Sequence, residues 1–421
     1  MGRQLNKAII TLILSFGLSI ISFAQKESDS VRNVKIQELE KSVKIFEKLK
    51  VSGYVQAQFQ YGEENASLKV GSANENNDKS FNRIGIRRGR IKFTYTEGIG
   101  SAVFQLDFTE KGIGFKDAYL NITDPWLKSI SLRAGVFDRP FGYEISYSSS
   151  RRESPERSTV FQTLFPEERD LGAMLVLQAP KSSALNFLKL EAGLFAGNGI
   201  KQETDNKRDF IGHLSAEKKL GNNFLIGGGV SYYNGSVYQG TNKVYKIEGD
   251  SFILEDTLTS LGKFAKREYV GIDARINIKS ILGTTQLRGE YLFGQQPGSA
   301  SNSKSPNSSS LPQNNTYIRS FGGWYIMFIQ SIGKLPLSLV AKYDVFDPNA
   351  KISGDEAGLN NTTSGDLAQN TLGIGLLWDI TRSINLQAYY EFNKNETSRN
   401  IAGYERDIKN DIFTLRLQYK F

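Results

Sequence analysis

The sequence has no cysteine and a single histidine among its 421 residues. The missing cysteines exclude disulfides and thiolate metal sites, and they argue against a lipid-modified N-terminal cysteine. Hydrolases that use a serine nucleophile need an imidazole base beside it. The one histidine, His213, shares a strand face with Ser215 and Glu217, so we interpret it as a polar wall residue. Since no glycine-rich phosphate loop or defined carboxylate pair occurs either, we predict no catalytic, cofactor or metal site.

Long apolar runs are also missing. Beyond the N-terminus no stretch of 18 apolar residues occurs, which excludes a helical membrane protein. Only 39% of the residues are hydrophobic, yet the chain has 40 Gly, 26 Phe and 19 Tyr. In an outer-membrane barrel only every second strand residue needs to be apolar, and aromatic residues mark the two interfaces. A soluble all-β protein and an outer-membrane barrel therefore both fit the composition.

The N-terminus has the three parts of a secretory signal peptide. Arg3 and Lys7 are positive, residues 8–21 are apolar, and residues 22–24 form a small-residue cleavage site. The alternative is a membrane anchor, but the apolar run is short for a span. We predict a signal peptide over 1–24. Without its two charges the chain has 50 basic and 44 acidic residues. A net charge of +6 is too weak to name a partner, and we expect no nucleic-acid partner.

Residues 25–50 form the second predicted segment, a short periplasmic helix. Between Val31 and Leu49 the apolar residues fall near heptad spacing, with Lys and Glu between them. The segment is either a single amphipathic helix or a short coiled coil between subunits. Two heptads are fewer than the three or four that identify a coiled coil, so both alternatives stay open.

From residue 51 the pattern changes to a period of two. Val55, Ala57 and Phe59 alternate with Gln56 and Gln58, as expected for strands with one apolar face. We predict about sixteen such strands: Val51 to Tyr61, Arg88 to Tyr95, Phe104 to Phe108, Asp117 to Ile122, Leu132 to Phe137, Gly172 to Leu177, Leu188 to Phe195, Ile211 to Leu220, Phe224 to Tyr233, Tyr269 to Ile278, Thr285 to Phe293, Ile318 to Gln330, Leu337 to Phe346, Thr371 to Trp378, Ile384 to Phe392 and Asp411 to Phe421.

The connections between these strands alternate in length. Short turns such as 221–223, 279–283 and 333–334 are followed by long polar loops. Short turns on one rim and long loops on the other are typical of bacterial barrels, which have an even number of strands. The fold class we predict is therefore an all-β, transmembrane antiparallel barrel over 51–421, in the outer membrane of a Gram-negative bacterium. The long loops fall at roughly 62–80, 138–170, 197–209, 235–267, 295–316, 348–369 and 394–409.

The loop 138–170 is the most unusual connection. It is long, rich in serine and dense in charge, and long loops between paired strands are commonly functional. We predict that it folds inward and narrows a pore. Its basic residues are Arg139, Arg151, Arg152, Arg157 and Arg169, and its acids are Asp138, Glu144, Glu153, Glu156, Glu167, Glu168 and Asp170.

The last strand ends in an aromatic residue. Leu417, Tyr419 and Phe421 share one face, opposed by Gln418 and Lys420. We expect this strand to pair with the first, because an open sheet edge cannot persist in lipid. A C-terminal aromatic residue on an alternating strand is similar to the signal for outer-membrane assembly machinery, which makes that machinery a predicted partner.

Several short motifs resemble the phosphate-selective porin O/P family. The resemblance covers Val51 to Phe421, and its most specific part is Pro140 to Gly172. It implies a sixteen-stranded, homotrimeric porin with an arginine-lined channel for small anions. The motifs are Arg87-Arg88-Gly89-Arg90-Ile91, Lys116-Asp117-Ala118-Tyr119-Leu120, Arg133-Ala134-Gly135, Pro140-Phe141-Gly142-Tyr143-Glu144, Ser148-Ser149, Glu156-Arg157, Arg169-Asp170-Leu171-Gly172, Gly289-Glu290-Tyr291 and Ala341-Lys342-Tyr343-Asp344.

The basic residues predicted to line the anion path are Arg88, Arg90, Lys92, Arg133, Arg151, Arg152, Arg157 and Arg169. Rings of Arg or Lys favour anions in pores. Three alternatives stay open: the bases pair with inward acids and only hold the loop, the pore is general and unselective, or the barrel is a non-conducting binding or structural protein. The inward acids are Asp107, Asp117, Glu191, Asp273, Glu290, Asp344 and Glu391.

Overall fold

The computed structural model describes residues 35, 36, 38, 43 and 46–421. The chain divides into two units, one up to Lys50 and one from Val51 to Phe421. In the first unit the described residues 35, 36, 38, 43 and 46–48 are helical, in agreement with the predicted helix. The predicted signal peptide lies outside the described residues, and the coiled coil stays a prediction. Among the described residues no helix is long and apolar enough to cross a membrane.

The second unit is a closed antiparallel barrel, which confirms the predicted fold class. Within the described residues, sixteen strands form the barrel and two more form a hairpin in one loop. The strands are β1 Leu49–Gly62, β2 Phe81–Glu97, β3 Gly100–Thr109, β4 Gly112–Thr123, β5 Ile130–Asp138, β6 Arg169–Gln178, β7 Leu188–Phe195, β8 Asp209–Leu220, β9 Phe224–Tyr238, β10 Lys243–Glu248, β11 Ser251–Asp256, β12 Phe264–Ser280, β13 Gly283–Gly298, β14 Thr316–Ser331, β15 Leu337–Asp347, β16 Gln369–Trp378, β17 Ile384–Asn395 and β18 Ile412–Lys420.

The barrel closes where the sequence predicts, between its first and last strands. β18 pairs with β1 in an antiparallel register that runs from Tyr54 opposite Lys420 to Gly62 opposite Ile412. Beyond that register, Gly53 and Phe421 exchange two backbone hydrogen bonds of 3.0 Å. A Cβ atom at Gly53 would lie 2.4 Å from the carbonyl oxygen of Arg90, so only glycine allows this approach.

The alternation in each strand separates a lipid face from a lumen face. Outward residues such as Leu120 (60% exposed) and Val230 (52% exposed) are apolar, whereas Gln58, Asp107 and Arg416 are buried on the inner side. Apolar side chains left exposed all around a closed barrel form the belt that contacts the hydrocarbon of an outer membrane. The protein is therefore an outer-membrane barrel of a Gram-negative bacterium.

The connections follow the predicted alternation, with one addition. The loop predicted at 235–267 contains the hairpin of β10 and β11, and β10 also pairs in parallel with β14. In β10 and β11 the side chains alternate in polarity on either side of the turn Gly249-Asp250, but each strand is only six residues long. Strands this short between flanking loop residues give a weak periodic signal, so the segment was predicted as part of a loop.

The loop between β5 and β6, residues 139–168, packs against the inner wall of the barrel. It contains the short helix α1, Thr159–Leu164. A cluster of buried apolar residues joins this loop to the inner wall on one side of the barrel. The loop contributes Phe141, Ile145, Val160, Phe161, Leu164 and Phe165, and the wall contributes Phe195, Ile211, Tyr233, Tyr269, Leu292, Phe321, Tyr325 and Phe346 among others. The apolar half of the loop thus fills one side of the lumen, and its charged residues face the remaining wall.

Candidate functional site: a basic pore beside the inward loop

The charged side of the loop is held by a carboxylate surrounded by arginines. Glu156 accepts two hydrogen bonds of 2.8 Å from Arg87, through Nε and Nη2. It also accepts a bond of 2.8 Å from Arg88 and one of 3.1 Å from Arg416. Burial alone would raise the pKa of Glu156, but the charges of Arg87, Arg88 and Arg416 hold that pKa well below its usual range. The carboxylate therefore stays charged and ties the loop to β2 and β18.

Arg87 faces the lumen although the strand alternation in the sequence did not assign it there. A regular strand puts Arg87 and Arg88 on opposite faces, but both contact Glu156. The alternation of β2 therefore shifts by one residue at this point. Lys116 is a similar case, because a register shift between β3 and β4 leaves it without a cross-strand partner next to the inward Asp117. Such irregularities bring two extra bases inward, and strict alternation cannot reveal them.

Arg90 and Arg169 are bound to acids of the barrel wall. Arg90 Nε donates to Asp107 at 3.0 Å, and its Nη1 donates to Ser149 of the loop at 2.9 Å. Arg169 Nε donates to Asp117 at 2.8 Å. Both guanidinium groups are buried, and each still borders a cavity of the lumen. Their charge is partly balanced, which supports the alternative that these bases hold the loop.

Arg157 stiffens the loop from within. It forms an ion pair with Glu168, and it donates to the backbone carbonyls of Glu144 at 2.8 Å and Ile145 at 2.9 Å. Burial alone would raise the pKa of Glu168, but the charges of Arg157 and Lys116 hold it well below its usual range. The loop therefore keeps its shape through a permanently charged pair.

Three other predicted bases are placed differently. Lys92 is half-buried on the lumen face of β2 and borders a cavity. Arg133 lies over the rings of Tyr119 and Phe137, at 4.8 and 5.5 Å, so it packs against the wall. Arg151 is exposed and lines a cavity on the periplasmic side of the loop. None of these three forms an ion pair with an acid among the described residues.

Arg152 stands apart from the other bases. It is 6% exposed, and its three side-chain nitrogens form no hydrogen bond with any described residue. Burial, together with the charges of Arg157 and Arg88, lowers the pKa of Arg152 well below its usual value. The residue borders the same cavity as Arg151. A buried guanidinium without a hydrogen-bond partner is costly, and hydrogen bonds to an oxyanion would offset that cost.

The opposite edge of the loop is held by acids of the wall. Glu290 accepts the backbone N–H groups of Tyr143 at 2.7 Å and Glu144 at 2.6 Å. Glu144 in turn accepts from the backbone and hydroxyl of Ser158, and it lies 3.6 Å from Lys342. Asp344 also accepts the backbone N–H of Thr159 at 3.3 Å, so two of the inward acids found in the sequence, Glu290 and Asp344, anchor the loop.

On the extracellular side of the loop lies a cavity of about 460 Å³, the outer vestibule. Eight bases and four acids line it, so its lining carries an excess of positive charge. The bases are Lys69, Arg87, Arg88, Arg90, Lys111, Lys116, Arg157 and Lys304, and the acids are Asp107, Glu156, Glu167 and Glu168.

Two cavities lie on the periplasmic side, and both are also basic. The inner cavity is about 240 Å³ and the exit cavity about 310 Å³, and each has five bases and two acids in its lining. The inner cavity is lined by Arg90, Lys92, Arg157, Arg169 and Lys420 with Asp117 and Asp138, and the exit cavity by Arg151, Arg152, Arg382, Arg416 and Lys420 with Glu153 and Asp379.

His213 lies on β8 at the inner wall. Its ring is buried, and Nε2 lies 3.0 Å from a carboxylate oxygen of Asp273. This placement agrees with the interpretation of His213 as a polar wall residue. No group of three or more potential metal ligands is found within the described residues.

Comparison with known proteins adds evidence on the fold. No protein-family profile and no curated protein matches the sequence. Among solved structures, the outer membrane channel DcaP of Acinetobacter baumannii matches with a TM-score of 0.54 at 15% identity, over 89% of this chain and 97% of that one. The anion-selective porin from Comamonas acidovorans matches with a TM-score of 0.52 at 10% identity, over 89% and 99% of the two chains.

A third similar structure is Salmonella typhi OmpF in complex with daunomycin. It matches with a TM-score of 0.56 at 12% identity, over 89% of this chain and 97% of that chain. The chain has the fold of outer-membrane porins. At identities of 15%, 10% and 12% the similarity shows the fold alone and does not identify a solute.

Proposed function

We propose that this protein is a passive channel that lets small anions, phosphate among them, diffuse across the outer membrane, and that it is not an enzyme. The observation that carries the proposal is the charge of the lumen. All three cavities beside the loop have more bases than acids in their lining, on both sides of the loop. In a pore the charges lining the path, and not the total charge, set the selectivity.

The cavities share residues in an order that suggests a path. Arg90 and Arg157 line both the outer vestibule and the inner cavity. Ser150 and Lys420 line both the inner and the exit cavities. An anion entering from outside would pass between Arg90 and Arg157 and leave beside Lys420. Since both arginines already have acidic or carbonyl partners, neither would hold the anion too tightly to release it.

Arg152 adds a buried charge without an ion-pair partner beside this path, besides the more exposed Lys92 and Arg151. Unlike Arg90 and Arg157, its guanidinium has no hydrogen-bond partner among the described residues. Guanidinium groups bind oxyanions through two parallel N–H donors, which suits phosphate as well as carboxylates. The resemblance to phosphate-selective porins supports the same solute class. The remaining bases of the predicted path, including Arg88, contribute to the surrounding positive potential.

A second candidate function is favoured by the number of bonds that the loop makes. Glu156 binds Arg87, Arg88 and Arg416, and the ion pair of Glu153 with Arg288 ties the loop to β13 as well. The loop is also tied to β1 by Tyr54, whose hydroxyl lies 2.5 Å from the hydroxyl of Ser149. A loop held on so many sides could close the lumen. The protein would then be a structural or binding barrel that does not conduct.

The experiment is a measurement of current in a planar lipid bilayer. Purified protein should insert and conduct, and a KCl gradient should give a reversal potential of the sign set by chloride. A folded barrel that does not conduct would support the second candidate function, in which the loop closes the lumen. A conducting barrel with no preference for chloride would support a general porin. Added phosphate should lower the chloride current if the two anions share the path.

We also infer that the barrel assembles as a homotrimer. One similar structure, with a TM-score of 0.50 and 10% identity, is described as the trimer form of OmpT of Vibrio cholerae. The resemblance to phosphate-selective porins implies the same state. Mass measurement of the detergent-solubilised protein should give three times the mass of one mature chain, and a monomer mass would contradict the inference.

A further inference from the structure

The outward face of β9 and β12 changes character near the extracellular rim. Val230 lies opposite Ile272 and Tyr232 opposite Val270, and these two pairs continue the apolar belt. The next pair toward the loops is Asn234 with Glu268, which is polar. The boundary of the hydrocarbon layer therefore falls between these pairs, since polar groups on the lipid side are costly within it.

Directly beyond this boundary lies a cluster of lysines and aromatic rings. Tyr238 and Phe264 are cross-strand partners whose rings meet edge to face at 5.7 Å. Lys207, from the loop between β7 and β8, places its Nζ 5.3 Å from the centre of the Phe264 ring. Lys266 projects from the same outward face, and Lys263 immediately precedes β12. We call these five residues the rim patch.

The rim patch carries positive charge that the protein leaves largely unbalanced. Lys266 is paired with Glu268 at 2.7 Å. Lys263 contacts only the hydroxyl of Thr259, at 3.1 Å, and Lys207 has no acid within ion-pair distance among the described residues. All three lysines are exposed. The patch thus offers two free ammonium groups and a third that is shared with Glu268.

The height of the patch matches a lipid headgroup. Lys266 is four residues beyond Val270, which is roughly 13 Å along a strand. Strands tilted by about 35–45° convert this to a height of roughly 10 Å above Val270, the last apolar residue of the belt on this strand, and a lysine side chain can bend back toward the membrane. Because the long loops face the cell exterior, this is the outer leaflet. The anionic groups at that level are the phosphates of the lipid A glycolipid.

We propose that the rim patch binds a phosphate group of lipid A, with the acyl chains lying on the apolar belt around Val230 and Ile272. The lysines supply the charge, in the manner of basic patches that recognise anionic lipid headgroups. The proposal is independent of what passes through the pore, because every residue of the patch is on the outside of the barrel.

The test compares two triple variants of the full-length protein in detergent. The first replaces the three rim lysines: Lys207→Gln, Lys263→Gln and Lys266→Gln. The matched control removes equal charge at the periplasmic end: Lys181→Gln, Lys218→Gln and Lys219→Gln. The control is close in chemistry, since Lys218 also lies over a phenylalanine ring, that of Phe187, at 5.6 Å. A heat-dependent change of migration in gel electrophoresis checks that both variants are folded, whether or not the barrel conducts.

Binding is measured by native mass spectrometry with bisphosphorylated lipid A and with the same lipid after removal of its phosphates. The rim variant should bind lipid A roughly ten- to hundredfold more weakly. This range follows from about a fivefold increase in affinity for each lysine beside an anionic headgroup. The control should bind like the wild type, and dephosphorylated lipid should bind the wild type and the rim variant alike. Three results would overturn the proposal. Lipid A affinity could fall equally in both triple variants, it could stay unchanged in the rim variant, or the dephosphorylated lipid could bind the wild type as tightly as lipid A does.

Discussion

The substitution Arg152→Gln gives the sharpest test of the proposed anion path. Arg152 is the one buried base of the path whose guanidinium makes no hydrogen bond with the described residues, so its removal breaks no hydrogen bond or ion pair among them. Two unit charges about 4 Å apart in water interact by about 1 kcal/mol. A passing anion that loses this attraction should have its permeability relative to potassium reduced about fivefold.

The assay is the reversal potential under a KCl gradient, first at about 0.1 M and then at about 1 M salt. The shift caused by Arg152→Gln should shrink at the higher salt, where the Debye length falls to about 3 Å. Arg208→Gln is the matched control, because Arg208 is on an exposed extracellular loop and pairs with Glu203 at 3.1 Å. If both variants keep the wild-type potential, anions do not pass near Arg152 and the reasoning fails.

Three other predictions follow from the same contacts. Changing Arg88 and Arg90 together to Ala should lower the anion-to-cation permeability ratio; an unchanged ratio with noisy current would mean that these residues only hold the loop. Because the pKa of Glu156 is depressed, its stabilising contribution is complete above the pKa it has in the unfolded chain and is lost only as the pH falls through its lower folded value. The single-channel current should therefore remain steady from pH 7 to pH 5. Current fluctuations within that pH range would contradict the conclusion that Glu156 holds the loop in place. Deleting Phe421, which pairs with Gly53 where the barrel closes, should reduce outer-membrane levels more than deleting the exposed loop residues 76–79, and equal levels on immunoblots would contradict this.

The strands could be predicted because their signal is local. Leu188–Phe195 has the predicted bounds, and the other barrel strands differ from prediction mainly at their extracellular ends. There the strands extend beyond the membrane, for example to Gly298 in β13, where outward residues no longer need to be apolar. Alternation fades at those positions although the backbone pairing continues, so the ends could not be predicted from the pattern.

The inward position of the 139–168 loop was predicted from its length and charge, but its partners were not. Glu156 binds Arg87, Arg88 and Arg416, which are 69, 68 and 260 residues away in sequence. Spacing along the chain contains no information on such contacts. The same applies to Arg152, whose sequence neighbours Arg151 and Glu153 are equally charged, while only Arg152 is buried without a partner.

The β class of this protein follows from its sequence, because a two-residue period sustained from residue 51 to the C-terminus, with no long apolar run, fits only a sheet with one apolar face. It also indicated which residues face inward, because alternation assigns them strand by strand. Which inward charges cancel depends on the folded barrel, because its closure and the insertion of the loop bring together acids and bases from distant strands. Selectivity depends on the charges that remain unbalanced after that pairing, and Arg152 becomes identifiable only then.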